Sequence, residues 1–142
     1  MALSRAERFM LLRAAVLLPV FWLGLRLLGL SRFQALIGGA APAARGSLPL
    51  PQVQALGRVV NLAASRMLRP GNCLVRSLLL HWLLQRRGLA SHLRIGVRLT
   101  DGTLDAHAWV ECCGVPVNDS AEVATQFAAF GELVPLQAFN AP

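Results

Sequence analysis

HLRIGVRLTDGTLDAHAWVECCGVPVND, residues 92–119, decides how this chain folds. Upstream of it, apolar residues recur every three or four positions; inside it they alternate, which marks a switch from helix to strand. Asp101-Gly102 between two alternating runs predicts a two-residue hairpin turn. Thr100 then faces Thr103, and His107 lies opposite Gly96. Gly114 invites a positive φ, so Cys112-Cys113-Gly114 reads as a three-residue loop ending in a G1-type bulge. In that register Glu111 faces Val115, and His107 falls directly opposite Asp119 on one face of the sheet. A two-residue Cys113-Gly114 turn would instead set Asp119 opposite Ala108, on the wrong face. The segment VPVND is expected as a third strand.

Such a sheet needs a cover, and the residues just before it supply one. NCLVRSLLLHWLLQRRG, residues 72–88, reads as a helix with Asn72 as N-cap and Gly88 at C′. Arg86 and Arg87 complement its negative end. Leucine and tryptophan surround most of it, so it is expected to be the buried central helix. Before it, QVQALGRVVNLAASRMLR places Val53, Leu56, Val60, Ala63 and Met67 at helical spacing and stops at Pro70-Gly71. GGAAPAARGSLPLP, residues 38–51, reads as a linker. At the start, Ser4-Arg5-Ala6-Glu7 forms a capping box for a first helix, which Pro19 is expected to kink or restart. After the strands, Ser120 is read as the cap of a short helix running to Phe130. Helices first and antiparallel strands later give an α+β fold. The division expected is residues 1–51, a helical region and linker, and 52–142, the domain bearing the site.

Composition narrows the classes. Of 142 residues, 55% are hydrophobic and 15% charged, which excludes a disordered chain. The net charge is +7 and every basic residue is arginine. Residues 1–69 hold nine arginines against one acid, Glu7, a net +8; residues 70–142 hold five against six, a net −1. A basic helical half suits acidic peptides, anionic lipids or nucleic acid, and equally describes solvated helix faces. Between Arg13 and Arg26 lie 12 uncharged residues, fewer than the ~20 needed to cross a bilayer, so no span is expected. Peripheral contact of residues 9–30 with a membrane, or packing on the domain's own core or on a partner protein, fits better. Three cysteines, two of them adjacent, do not make a disulfide framework. With no small-residue cleavage site after the first apolar run, a cytoplasmic location is expected, with membrane association through that run kept open.

The chemistry rests on three residues. Cys73 opens the central helix, where the dipole and unpaired amides favour a thiolate. A helix packed on the sheet can bring its sulfur to His107, and Gly96 is expected to leave open space beside the imidazole. Cys73, His107 and Asp119 then act as nucleophile, base and orienter. The Cys73 amide is one oxyanion donor. Arg76, one turn on, either orients a substrate carbonyl or pairs with an acid. Trp109, on the face of His107, is either core or a pocket wall. Other groups stand too far away. His81 is ~12 Å along the helix from Cys73. His92, expected opposite Glu111, is ~13 Å from the Gly96 level. Asp105 and Glu111 read as solvent-edge residues. No CxxC or HxxxH spacing is present, so neither a metal site nor a cofactor is expected.

CLVRSLLLHWLLQRRGL, LRIGV and AHAWVECCGVPVND together resemble lasso-peptide leader peptidases, in the standalone form of their transglutaminase-like domain. AERFMLLRAAVLLPVFWLGLRLLGL is similar to the helical entry of that form. The resemblance implies a transglutaminase/papain-like core with the nucleophile helix on an antiparallel sheet. It carries the catalytic roles onto Cys73, His107 and Asp119. It implies a cysteine protease that removes the leader from a ribosomal precursor peptide, shortly after a leader threonine. Its partners would be a small leader-recognition protein and a macrolactam cyclase, with no nucleic acid. Two other readings stay open: an acyltransferase using the same triad with an amine acceptor, and a non-catalytic basic interaction module.

Overall fold

The computed structural model describes residues 2–37, 48–67 and 72–129. Residues 38–47 of the linker expected at 38–51, the stop at Pro70-Gly71 and the tail from Phe130 lie outside them; the linker's last two residues, Leu50 and Pro51, are instead the start of the second helix.

Helix α1 (Arg5–Ile37) begins with the expected capping box. The Ser4 amide donates to Glu7 Oε2 at 2.7 Å, and the Glu7 amide donates to Ser4 Oγ at 3.2 Å. Those bonds hold the Glu7 carboxyl below its ordinary pKa. The helix runs through Pro19 and breaks instead at Gly29, whose φ of 79° and ψ of 165° are open only to glycine. Past the break the chain folds back on itself. A Cβ built on Gly24 would lie 2.3 Å from the Phe33 ring, yet nine residues of straight helix would separate the two by ~13 Å. Phe33 also meets Phe21 edge to face at 5.1 Å. The break thus packs the two halves of α1 against each other.

Helix α2 (Leu50–Met67) has Pro51 in its first turn, where the missing N–H costs nothing. It buries Val53, Gly57, Val60 and Ala63, while Met67, expected in the core, is exposed. Helix α3 (Cys73–Arg86) ends as its sequence predicts. Gly88 has φ 73°, its amide bonds the Gln85 carbonyl, and the Leu89 amide bonds the Leu84 carbonyl, which is a Schellman ending. Leu78, Leu79, Leu80, Leu83 and Leu84 are buried together, because α3 touches α1, α2, β1 and β2. Each such leucine contributes about 2 kcal/mol of transfer free energy.

Strand β1 (His92–Thr100) pairs antiparallel with β2 (Thr103–Cys112) in the expected register, with Thr100 on Thr103 and Gly96 on His107. Two elements differ from expectation. β3 is only Val115–Pro116, and Ser120 does not cap a helix to Phe130. Instead α4 (Val123–Gln126) is a single turn, followed by β4 (Ala128–Ala129) against β1. The sheet order is β3-β2-β1-β4. Ala108, Val110 and Cys112 of β2 are buried, and the last two join the helical core; Trp109 packs with Val123 and Phe127 in a second cluster.

The β2–β3 turn corrects the three-residue loop. Cys112 pairs with Val115, so the loop is Cys113-Gly114, with φ 54° and 76°. Two successive positive φ values define a type I′ turn, which glycine and asparagine satisfy and a cysteine at the first position does not. Cys113→Asn is therefore expected to raise stability by about 0.5–1 kcal/mol. That would appear as a thermal midpoint up to about 4 °C higher, with no change in site chemistry.

His81 makes the fold sensitive to acid. Its Nδ1 lies 2.7 Å from Ser91 Oγ, and burial, with a smaller push from His92, lowers its pKa from 6.5 to about 4. The unfolded chain therefore binds the proton more readily. The contribution of neutral His81 is complete above pH 6.5 and is lost as pH falls from there toward 4, up to about 3 kcal/mol in all. Urea midpoints at pH 7 and pH 5 should converge in His81→Gln relative to the parent. An unchanged pH slope in that variant would contradict the assignment.

Candidate active site

The structure brings His107 and Asp119 together by a route other than strand pairing. His107 Nε2 lies 2.5 Å from Asp119 Oδ2. A regular ladder in the observed register would have set Asp119 opposite Ala108. The ladder stops first, because residues 117–119 bend and a side chain takes over the strand's next bond. The Val117 amide still donates to the Val110 carbonyl, but the Val110 amide donates to the Asn118 side chain, at 2.8 Å. Asn118 thus stands in for strand backbone and frees the next residue to turn.

Asn118 is the hub behind the site. Its Nδ2 donates to Ser77 Oγ at 2.9 Å, Ser77 donates to the Ala108 carbonyl at 3.1 Å, and Asn61 donates to the Asn118 carbonyl at 2.8 Å. One buried network therefore ties α2, α3 and β2 to the residue before Asp119. α2 closes on it without a gap. A Cβ on Gly57 would sit 2.0 Å from the Val117 carbonyl oxygen. Asp119 itself accepts on both oxygens: Oδ1 from the Ser120 amide at 2.8 Å, and Oδ2 from His107 with Arg76 Nη2 at 3.7 Å. Of the two roles open to Arg76, pairing with an acid is the one seen.

The His107 ring forms a cluster with two aromatic rings, stacked with Phe127 at 5.0 Å and with Trp109 at 6.2 Å, which lie 6.4 Å from each other. Arg98 covers Phe127 at 4.5 Å. Trp109 is fully buried, and its Nε1 has no hydrogen-bond partner. The space expected beside Gly96 is filled. A Cβ there would meet Phe127 Cβ and Trp109 Cη2, each at 2.9 Å. Gly96 is a packing position that lets Phe127 fold over the sheet, not an opening for the thiol.

Cys73 is the first residue of α3 and half-buried. Asn72 occupies the N-cap position, but its side chain makes no cap bond to the helix amides. Arg76 and Ser77 follow Cys73 by three and four residues, so all three share one face of α3. Through Arg76 and Ser77 that face is attached to Asp119 and to the backbone beside His107. No hydrogen bond joins Cys73 to His107 in this structure. With Nε2 held by Asp119, Nδ1 is the nitrogen left for a thiol. The other titratable groups lie elsewhere. His81 bonds Ser91, and His92 pairs with Glu111. Glu111, expected at the solvent edge, is buried and paired with Arg94 at 3.3 Å. Burial raises the Cys112 thiol pKa, and Cys113 is exposed. Among the described residues, no three His, Cys, Asp or Glu side chains are grouped to hold a metal ion.

Sequence reasoning missed Ser77, Asn118 and Phe127. Ser77 had a signal: it is the lone hydroxyl in a leucine run, four residues after Cys73. Phe127 had none, since its position depends on a chain reversal after Ser120.

No curated protein and no solved structure matches this chain significantly. The model of one family does, over residues 14–131, from within α1 through the whole sheet. The helices, the small antiparallel sheet and this match agree, and the chain belongs to the transglutaminase-like superfamily.

Proposed function

We propose that the chain is a cysteine peptidase that removes the leader from a lasso-peptide precursor. In this reading a separate recognition protein delivers the leader, and a macrolactam cyclase consumes the released core peptide. The observation that carries it is the His107–Asp119 pair, tied through Arg76 to the helix turn that begins with Cys73. His107 Nδ1 takes the thiol proton as sulfur attacks the scissile carbonyl, then gives that proton to the leaving amine. Asp119 keeps the imidazole in the required tautomer and stabilises the imidazolium. Water, activated by the same nitrogen, hydrolyses the thioester. A catalytic contact that forms only when substrate binds is common in free enzymes, so the lack of a Cys73–His107 hydrogen bond is compatible with this sequence of steps.

The superfamily match favours a second reading, in which an amine replaces water in the last step. Incubating the full chain with a precursor and its recognition protein, then weighing the products, separates the two. Hydrolysis gives two fragments whose masses sum to the precursor plus water. Transfer also releases the core fragment, but leaves the leader fragment joined through a new amide bond to the acceptor amine, with no water gained. Neither product would remove both readings. Thiol alkylation adds an independent check. Cys113 is the most exposed of the three thiols, so Cys73 must outpace it with iodoacetamide at neutral pH if it is activated.

A further inference from the structure

Helix α1 is apolar on two opposite sides. One stripe, Met10, Ala14, Leu18 and Phe21, is packed into the core. The other, Phe9, Leu12, Val16, Val20, Leu23 and Leu27, is exposed, from 49% at Leu23 to 73% at Leu27. Steps of three and four residues align these six on one side of the helix. At 100° per residue, Arg8 and Arg26 fall along one border of the stripe and Arg13 along the other. Arg26 also sits over Trp22, at 5.4 Å from its ring, and that indole is 38% exposed. A helix that is apolar all round is normally buried on all sides, and α1 is not. Apolar surface of this extent, rimmed by one sign of charge, marks a contact site.

We infer that this face of α1 lies in the interface of an anionic lipid bilayer, parallel to the membrane surface. The arginine borders match anionic headgroups, and the stripe between them enters the acyl boundary. Spanning does not fit. The opposite stripe is already occupied by the protein core, and Arg13 and Arg26 are only ~20 Å apart along the helix, against a hydrocarbon thickness of ~30 Å. Pairing with a second copy does not fit either. It would bring arginine borders together, and the only acid on α1, Glu7, is engaged by Ser4. The inference is independent of the peptidase reading, since none of these residues contacts the His107–Asp119 pair.

The test is flotation of the full chain with vesicles. The chain should rise with mixed phosphatidylglycerol–phosphatidylcholine vesicles, not with phosphatidylcholine alone, and should be released by high salt and by alkaline carbonate. Leu12→Glu with Leu23→Glu should weaken binding roughly a hundredfold or more. Arg8→Gln, Arg13→Gln and Arg26→Gln should each cost about fivefold. Arg8, Leu12, Leu23 and Arg26 are exposed and Arg13 is half-buried at the stripe's edge, so the thermal midpoint should hold and exclude misfolding as the cause. Three results would overturn the inference: no flotation, equal flotation with neutral vesicles, or retention through carbonate, which indicates a span. A dimer in vesicle-free solution that Leu12→Glu dissolves would assign the face to a second copy instead.

Discussion

Cys73→Ala is expected to abolish precursor processing, a fall of at least about 10⁴-fold, while leaving a folded protein. The size follows from the role. Without sulfur no thioester forms, and His107 has no thiol proton to take. The folding side follows from the position. Cys73 is half-buried at the first residue of α3, where alanine is a good helix former and little packing is lost. Thermal unfolding should therefore change by less than about 0.5 kcal/mol. Intact-mass analysis during turnover adds a second readout, because an acyl adduct trapped on the parent protein must be missing from the variant. Cleavage at the parental rate would remove Cys73 from the mechanism.

Asp119→Asn is expected to lower the same activity by about 10³-fold, near the ~10⁴-fold cost of the corresponding change in a serine-protease triad. Both Asp119 oxygens accept: Oδ2 from His107 with Arg76 nearby, and Oδ1 from the Ser120 amide. Asparagine has one oxygen and one donor group, so one side must oppose a donor to a donor. If the amide faces Ser120, the imidazole keeps its tautomer but loses the carboxylate charge. If the amide faces His107, the ring must carry its proton on Nδ1 and can no longer accept from the thiol. Either outcome slows the acylation step more than it weakens substrate binding, so kcat should fall and KM should move little. A variant that keeps kcat and loses only KM would make Asp119 a binding residue rather than the orienter of His107.

The buried α3 with its glycine ending, the Asp101-Gly102 hairpin and its register, and the capping box at Ser4 were all legible in the sequence. Each is fixed by local chemistry: an apolar period, a residue that tolerates positive φ, or a side chain that reaches its own backbone. Pro19 and Gly29 show the limit. Both residues are visible, but only packing decides that the helix tolerates the proline and breaks at the glycine, where Phe33 can fold back over Gly24. The site divides in the same way. The pairing of His107 with Asp119 was expected, from a turn that does not form. The observed two-residue turn would have separated them had strand pairing continued.

The sequence by itself therefore determined the order of helices and strands, the central place of α3 and the three residue types that can carry thiol chemistry. These depend on spacing within one segment. Only the tertiary structure decided how Asp119 reaches His107 and what lies against the imidazole. Asn118 bonds to residues from α2, α3 and β2, and Phe127 arrives from a chain reversal that places it over Gly96. Those positions are set by contacts between segments far apart along the chain, and no local propensity or period encodes them.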